Sequence, residues 1–300
     1  MSERFVQRAD PEEVFGSLSN DIRVAVIRAL RDADGHEATF SDLRETVGVD
    51  DPGQFNYHLD KLRGHFVART DEGYELTQSG KQIAGAIASG AYTVEGETDP
   101  IPLDDPCQVC GSEQTLRYED EVVRVECDSC VSTSAFAVPP AALAGYDREA
   151  IPRVASRYLR TTIRQQYNGF CWYCEGRVEP SVGTVPELDP VKVPPEEVLE
   201  EFVDDLHDIP WVRYDCQRCG ATATMGLNTV LLNHPAVVAF YHDHGVDVQE
   251  RLVWEFPSVD DVRMAVRDVE PFRASVSYEA SGETLTVVVD ETLGVVDVDS

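Results

Sequence analysis

Apolar positions recur at helical spacing along the first part of the chain. Val14, Phe15 and Leu18 mark one side of a first helix over Asp10 to Leu18, with Pro11 at its start. Ile22, Val26, Ile27 and Leu30 stripe a second helix, opened by Asn20 or Asp21 and ended by Asp34-Gly35. A short helix over Asp42 to Val47 follows, capped by Ser41 and stopped by Gly48. Asp50 or Asp51 caps the next one, with Pro52 near its first position. That helix buries Phe55, Leu59, Leu62 and Phe66, and its other face carries Gln54, Asn56, Tyr57, His58, Lys61 and Arg63. The period then drops to two. Val67 to Thr70, Asp71-Glu72-Gly73 and Tyr74 to Leu76 read as strand, tight turn and strand. Thr77 caps a last helix over Gln78 to about Ala88, with Ile83, Ala84 and Ile87 as its buried side.

Helix, short turn, exposed polar helix and two-stranded wing predict a winged helix-turn-helix over residues 1–92. Such a head reads double-stranded DNA through its exposed helix. Gln54, Asn56, Tyr57, His58, Lys61 and Arg63 are the candidate base and phosphate contacts, and Arg69 in the wing is a backbone contact. Between residues 52 and 70 the single acid, Asp60, stands against Lys61, Arg63 and Arg69. A locally positive stretch is informative in so acidic a chain. The rival reading is a winged helix that contacts protein.

Two runs carry a resemblance to a known family. Asn56-Tyr57-His58-Leu59-Asp60-Lys61-Leu62 and Phe15-Gly16-Ser17-Leu18-Ser19-Asn20-Asp21-Ile22-Arg23 resemble the ArsR-like winged-helix transcriptional regulators of salt-loving archaea. The likeness covers roughly the first 90 residues. It implies a DNA-binding regulator, and a homodimer paired through the helix near Gln78 to Ala88. The metal-sensing members place cysteines before the recognition helix, or acids and histidines in the last helix. Neither pattern occurs here, which argues against metal sensing by the head. The remainder is similar to the zinc-ribbon extension of some haloarchaeal regulators.

Residues 93–106 read as a linker by composition. A first ribbon over 107–138 follows, with Thr115 to Tyr118 and Val122 to Glu126 alternating as a hairpin. A connecting segment, 139–168, holds a long helix capped by Asp147. A second ribbon over 169–224 contains a proline-rich acidic insertion with a short helix near Pro195 to Leu206. The C-terminal region, 225–300, begins with helices over Leu227 to Asn233 and Pro235 to His244. From Leu252 the pattern turns to strands, including a hairpin over Ser275 to Val289 and a last strand over Gly294 to Val298. The fold class is therefore α+β: a winged helix-turn-helix, two four-cysteine zinc ribbons, then helices and an antiparallel sheet.

All eight cysteines fall in CxxC pairs, at 107/110, 127/130, 171/174 and 216/219. Two residues between thiolates let both sulfurs reach one ion at about 2.3 Å. Cys107, Cys110, Cys127 and Cys130 make a first zinc site, with sixteen residues between the pairs. Cys171, Cys174, Cys216 and Cys219 make a second, its pairs separated by forty-one residues. Gly111 and Gly220 permit the left-handed bend after a knuckle. Four cysteine ligands close the coordination sphere, so two structural Zn2+ ions are expected. The alternative is a thiol redox switch, with the second set acting as separate CxxC motifs.

Charge sets the surroundings. Acids number 55 and bases 25, a net of −30 spread along the chain. Molar potassium shortens the Debye length to about 3 Å, so this reads as salt adaptation. No run is apolar enough for a membrane helix and the N-terminus lacks a signal-peptide core, so a cytoplasmic protein is expected. No phosphate-binding, zincin or nucleophile-elbow motif stands in a supporting context, so no enzyme is expected. Arg153, Arg157, Arg160 and Arg164 share a helical face free of acids from Ala150 to Cys174. They suit phosphates or, as the preferred reading, this protein's own acids. His234, His242 and His244 are not expected to bind metal, and Trp211, Tyr241, Trp254 and Phe256 read as core. The function that follows is a transcriptional regulator whose zinc-stabilised C-terminal region serves assembly or senses an effector; the rival is a protein-interaction adaptor of the transcription machinery.

Overall fold

The computed structural model describes residues 10–94, 96–107, 110–130, 133–184, 209–256 and 263–300. The chain divides into two compact units, Met1–Val94 and Glu95–Ser300. The fold is α+β, with helices dominating the first unit and antiparallel sheets the second. Among the described residues no helix is long and apolar enough to cross a membrane. The insertion helix expected near Pro195 to Leu206 lies outside the described residues.

In the first unit, α1 (Pro11–Gly16) is capped by Asp10, whose carboxylate accepts from the Glu12 amide at 3.0 Å. Phe15 lies exposed while Val14 and Leu18 pack inward, because a helix this short buries only one edge. Asn20 caps α2 (Asp21–Asp32), which buries Val26, Ile27 and Leu30. The cap of α3 (Phe40–Val47) is Thr39, not Ser41: its hydroxyl accepts from the Asp42 amide and donates to the Asp42 carboxylate at 2.7 Å. Gly48 ends that helix at φ 75°, and Asp51 caps α4 (Pro52–Leu62) through the Gln54 amide.

A three-stranded sheet sits behind the helices, in the order β1-β3-β2. Strands β2 (Val67–Arg69) and β3 (Tyr74–Leu76) form the expected hairpin, and β1 (Glu37–Ala38) adds to its edge. This last pairing had no local signal, since it joins residues far apart in sequence. It fixes Gly73, where a Cβ would collide with the Ala38 carbonyl. Thr77 caps α5 (Gln78–Ala88), and Gly80 lets that helix ride against the Phe66 carbonyl. Val26, Ile27, Leu30, Phe55, Leu59 and Leu62 are fully buried at the centre of this unit.

The second unit opens with the sheet β4-β5-β6-β7, formed by β4 (Ile101–Leu103), β5 (Gln114–Glu119), β6 (Val122–Cys127) and β7 (Thr133–Ala137). Strand β4 lies inside the stretch expected to be a linker. Ile101 is buried there, and Pro102 is tolerated because β4 is an edge. After α6 (Pro140–Leu143), α7 (Ile151–Tyr167) buries Ile151, Ala155, Leu159 and Ile163 at four-residue intervals. A three-stranded sheet follows, made of β8 (Val178–Thr184), β9 (Pro210–Cys216) and β10 (Thr222–Gly226). In β9 every second residue is buried: Pro210, Val212, Tyr214 and Cys216.

Helices α8 (Leu227–Leu231) and α9 (Pro235–Asp243) lead to a four-stranded antiparallel meander. Its strands are β11 (Arg263–Val269), β12 (Phe272–Ala280), β13 (Glu283–Asp290) and β14 (Val295–Asp299). One core joins this meander to the second set of cysteines, bringing Cys171 and Cys216 together with Tyr214, Leu231, Tyr278 and Val287. Residues 250–255 are not a strand; they lie along α7. Arg153 and Arg157 both reach Glu250, at 3.0 and 3.4 Å, and Arg160 donates to the Arg251 carbonyl at 2.7 Å. The Ser156 hydroxyl accepts from the Val253 amide. Three of the four arginines therefore serve this unit's own packing, and Arg164 stays exposed.

Candidate functional site

The chemistry of the second unit gathers at its cysteines. Cys107, Cys110, Cys127 and Cys130 bring their sulfurs within 4.8 Å of one another, and so do Cys171, Cys174, Cys216 and Cys219. The closest sulfur pairs are Cys110–Cys127 at 3.4 Å and Cys107–Cys130 at 3.7 Å. In the second cluster they are Cys174–Cys216 at 3.5 Å and Cys171–Cys219 at 3.8 Å. Thiolates about 2.3 Å from a tetrahedral ion sit about 3.8 Å apart, so both clusters have the size of a metal site. Backbone amides point at the sulfurs: Ser129 to Cys127, Tyr173 to Cys171, and both Arg218 and Cys219 to Cys216.

The knuckle turns explain the neighbouring residues. Gly111 and Gly220 take φ 75° and 74°, as their place after a CxxC pair requires. Glu175 holds the same place after Cys174 at φ 56° without being glycine. The Cys107 amide donates to the Ser112 carbonyl, and the Cys171 amide donates to the Gly176 carbonyl, closing each loop.

Four thiols this close cannot all ionise without a cation. The Ser112 hydroxyl, helped by its amide, draws Cys110 down to about 6. The amides of Cys219 and Arg218 do the same for Cys216, also to about 6. The Gly176 amide pulls Cys174 down, but burial and the three neighbouring thiols outweigh it and push Cys174 up to about 12. Burial raises Cys127. A divalent ion would relieve this conflict by binding all four sulfurs as thiolates.

The other candidate surface is the solvent side of α4. Gln54, Asn56, Tyr57 and Lys61 are exposed there, and Lys61 lies 5.7 Å over the Tyr57 ring. His58 is different. It is only 8% exposed, because it falls three residues after Phe55 and four before Leu62, on the apolar face. Its placement among the exposed contacts is thus corrected. Burial, and then the charge of Arg23, lower its pKa. Arg63 lies past the end of α4 in extended conformation, so it is not a helix-face residue.

Asp60 entered the sequence reading only as the lone acid of this stretch, with no role in positioning contacts. Its carboxylate accepts from the Asn56 amide nitrogen at 3.0 Å and from Arg63 at 2.8 Å. Spacings of four and three residues carried that signal. Arg69 is exposed at the end of β2. His234 caps α9 and His244 bonds the Phe240 carbonyl, while His242 is exposed.

A model for the domain of unknown function DUF7351 matches residues 104–295, well over half of the chain. The chain belongs to the DUF7351 family. The match runs through both cysteine clusters and the first three strands of the terminal meander. A second model, for the domain of unknown function DUF7347, matches residues 11–87, from the first residue of α1 almost to the end of α5. No curated protein matches the chain. In this DUF7351 member the metal-sized clusters and the polar face of α4 thus lie in regions matched by different models.

Proposed function

We propose that this protein is a transcriptional regulator whose first unit is a winged helix-turn-helix that reads double-stranded DNA, and whose second unit is held by two zinc ions. The single observation that carries the reading is the split of α4. Phe55, His58, Leu59 and Leu62 anchor it, leaving Gln54, Asn56, Tyr57 and Lys61 exposed along the opposite side. A helix seated on its own apolar face offers a rigid polar edge of the kind the major groove accepts. Asn56 and Tyr57 supply base-edge contacts. Lys61, Arg63 and Arg69 meet phosphates, Arg63 through the donors that Asp60 leaves unused. His58 has no contact role in this reading; it supports the helix from below.

Two subunits pair through α5 in this proposal, as in the regulators the sequence resembles. The four-cysteine donor sets favour zinc over harder ions. The second unit then assembles complexes or senses an effector.

The test is selection of duplexes from a random pool in molar potassium chloride, followed by fluorescence anisotropy. Asn56→Ala or Tyr57→Ala abolishes preference among sequences, while Lys61→Ala weakens all duplexes alike. Three phosphates per subunit give a log–log salt slope of about −5 for a dimer. Unaltered preference in both α4 variants would overturn the assignment. Metal analysis of the purified chain should return two zinc ions.

A further inference from the structure

The knuckle of the second cysteine cluster exposes two aromatic rings in a stretch poor in acids. Phe170 is 54% exposed and Tyr173 69%, although both adjoin a well-filled core to which Trp172 contributes. Trp172 meets Tyr173 edge to face at 5.6 Å, which steadies the outer ring. Arginines adjoin this knuckle. Arg177 pairs across an isolated bridge with Phe170, and its side chain is 79% exposed. The Gln217 amide donates to the Arg177 carbonyl, and the Arg218 side chain lies against Gly176. Arg164, exposed near the end of α7, leads into the knuckle; the Asn168 amide donates to its carbonyl.

Acids are few at this place. None occurs from Ala150 to Cys174. Glu175 is exposed, Glu179 is engaged by Arg177 at 3.1 Å, and Asp215 by Arg213 at 2.9 Å. The first cluster is the counterexample within the same unit: its sheet carries Glu119, Asp120, Glu121 and Glu126, with Glu113 and Asp128 beside its cysteines.

We propose that the knuckle of the second cluster binds single-stranded DNA, with Phe170 and Tyr173 stacking on bases and Arg164, Arg177 and Arg218 meeting phosphates. Exposed rings flanked by arginine match unpaired bases and their backbone, since every base has a face to stack and a duplex keeps its faces inside. Stacking is not screened by salt, so such a surface works where long-range attraction is lost. The choice of DNA over RNA rests on the reading of the first unit as DNA-binding; the stacking face does not.

The experiment uses the full chain with labelled oligo-dT and oligo-rU of about 20 nucleotides, and a duplex, across potassium chloride from about 0.2 M to about 2 M. Oligo-dT should bind with a log–log slope of about −2, from three phosphates at roughly −0.7 each. Phe170→Ala and Tyr173→Ala should each weaken it about tenfold. The double variant Arg177→Gln/Arg218→Gln should flatten the slope to about −0.7. Zinc content and melting must stay as in the parent, because none of these residues is a metal ligand. Asn56→Ala and Lys61→Ala should leave oligo-dT binding unchanged. Absence of duplex binding by the parent chain, with oligo-dT binding intact, would overturn the reading of the first unit and leave the knuckle standing. Oligo-dT binding indifferent to the aromatic and arginine variants overturns the proposal. So does tighter binding of oligo-rU, or a change of sedimentation in the aromatic variants, which would make the patch a self-association surface.

Discussion

The first unit closes over Val26, Ile27, Leu30, Phe55, Leu59 and Leu62, all fully buried, and its helices are capped by Asp10, Asn20, Thr39, Asp51 and Thr77. The second unit spreads its apolar residues over three sheets, and two of those sheets end in four sulfurs each. One unit is stabilised by local helix signals and a single apolar centre. The other gathers cysteines distant in sequence into two clusters of the size of a metal site. Within the second unit the clusters also differ. Cys171 and Cys216 belong to the large core under the meander, whereas the first cluster stands at the end of a sheet whose core lies elsewhere, around Leu116 and Val123. Equal ligand chemistry is thus coupled to very different amounts of buried surface, and the consequences of disrupting each cluster should differ accordingly.

Removal of metal by a chelator should separate the units most sharply. The second unit should lose its cooperative melting transition, since binding to a structural four-thiolate site contributes on the order of 10 kcal/mol in small domains. The first unit should keep its transition. Calorimetry of the full chain reads both, and simultaneous loss would contradict the contrast. Cys216→Ser against Cys107→Ser ranks the two clusters. The former should unfold the meander together with its own cluster, while the latter should loosen only β4 to β7. Hydrogen exchange of Val287 and Val289 in β13 reports the difference, and equal exchange in the two variants would erase it.

Leu59→Ala probes the first unit from the other direction. It should destabilise that unit by about 3 kcal/mol through a cavity, with metal content unaltered. Metal loss in this variant would show that the units are not independent. The smallest effect concerns pH. Burial and Arg23 hold the folded pKa of His58 below its ordinary value of 6.5. The unfolded chain therefore takes up this proton first as pH falls. The stability that His58 gives as a neutral group is present above about 6.5 and is lost progressively as pH drops toward its folded value. A His58→Leu variant should show a weaker fall in the first transition between about pH 7 and about pH 5. An unchanged fall would assign the acid sensitivity to other groups.

Much of the first unit was legible because its signals are local. Asp51, Pro52 and Gly48 mark helix ends by their own backbone chemistry, and the spacing of Phe55, Leu59 and Leu62 marks a face. The CxxC pairs marked both clusters for the same reason, since two-residue spacing is set by the reach of a turn. Even the pairing of Cys171 and Cys174 with Cys216 and Cys219 was readable across the insertion, because neither pair had another partner.

Four features escaped the sequence reading, three of them decided by residues far apart in sequence. Ile101 to Leu103 looks like linker by composition, yet it is a strand because β5 has an open edge beside it. Glu37-Ala38 is a strand only because β3 lies alongside. His58 reads as polar from its type, but the turn it occupies places it on the face that Phe55 and Leu62 bury. Arg153 and Arg157 share a helical face in any reading; that Glu250 meets them, rather than a partner, follows from the path of the chain after α9. A helix or a turn is chosen by interactions a few residues apart, so sequence alone determines it. Which surface then covers a face is chosen by whichever distant segment excludes water from it best, and that is written only in the assembled fold.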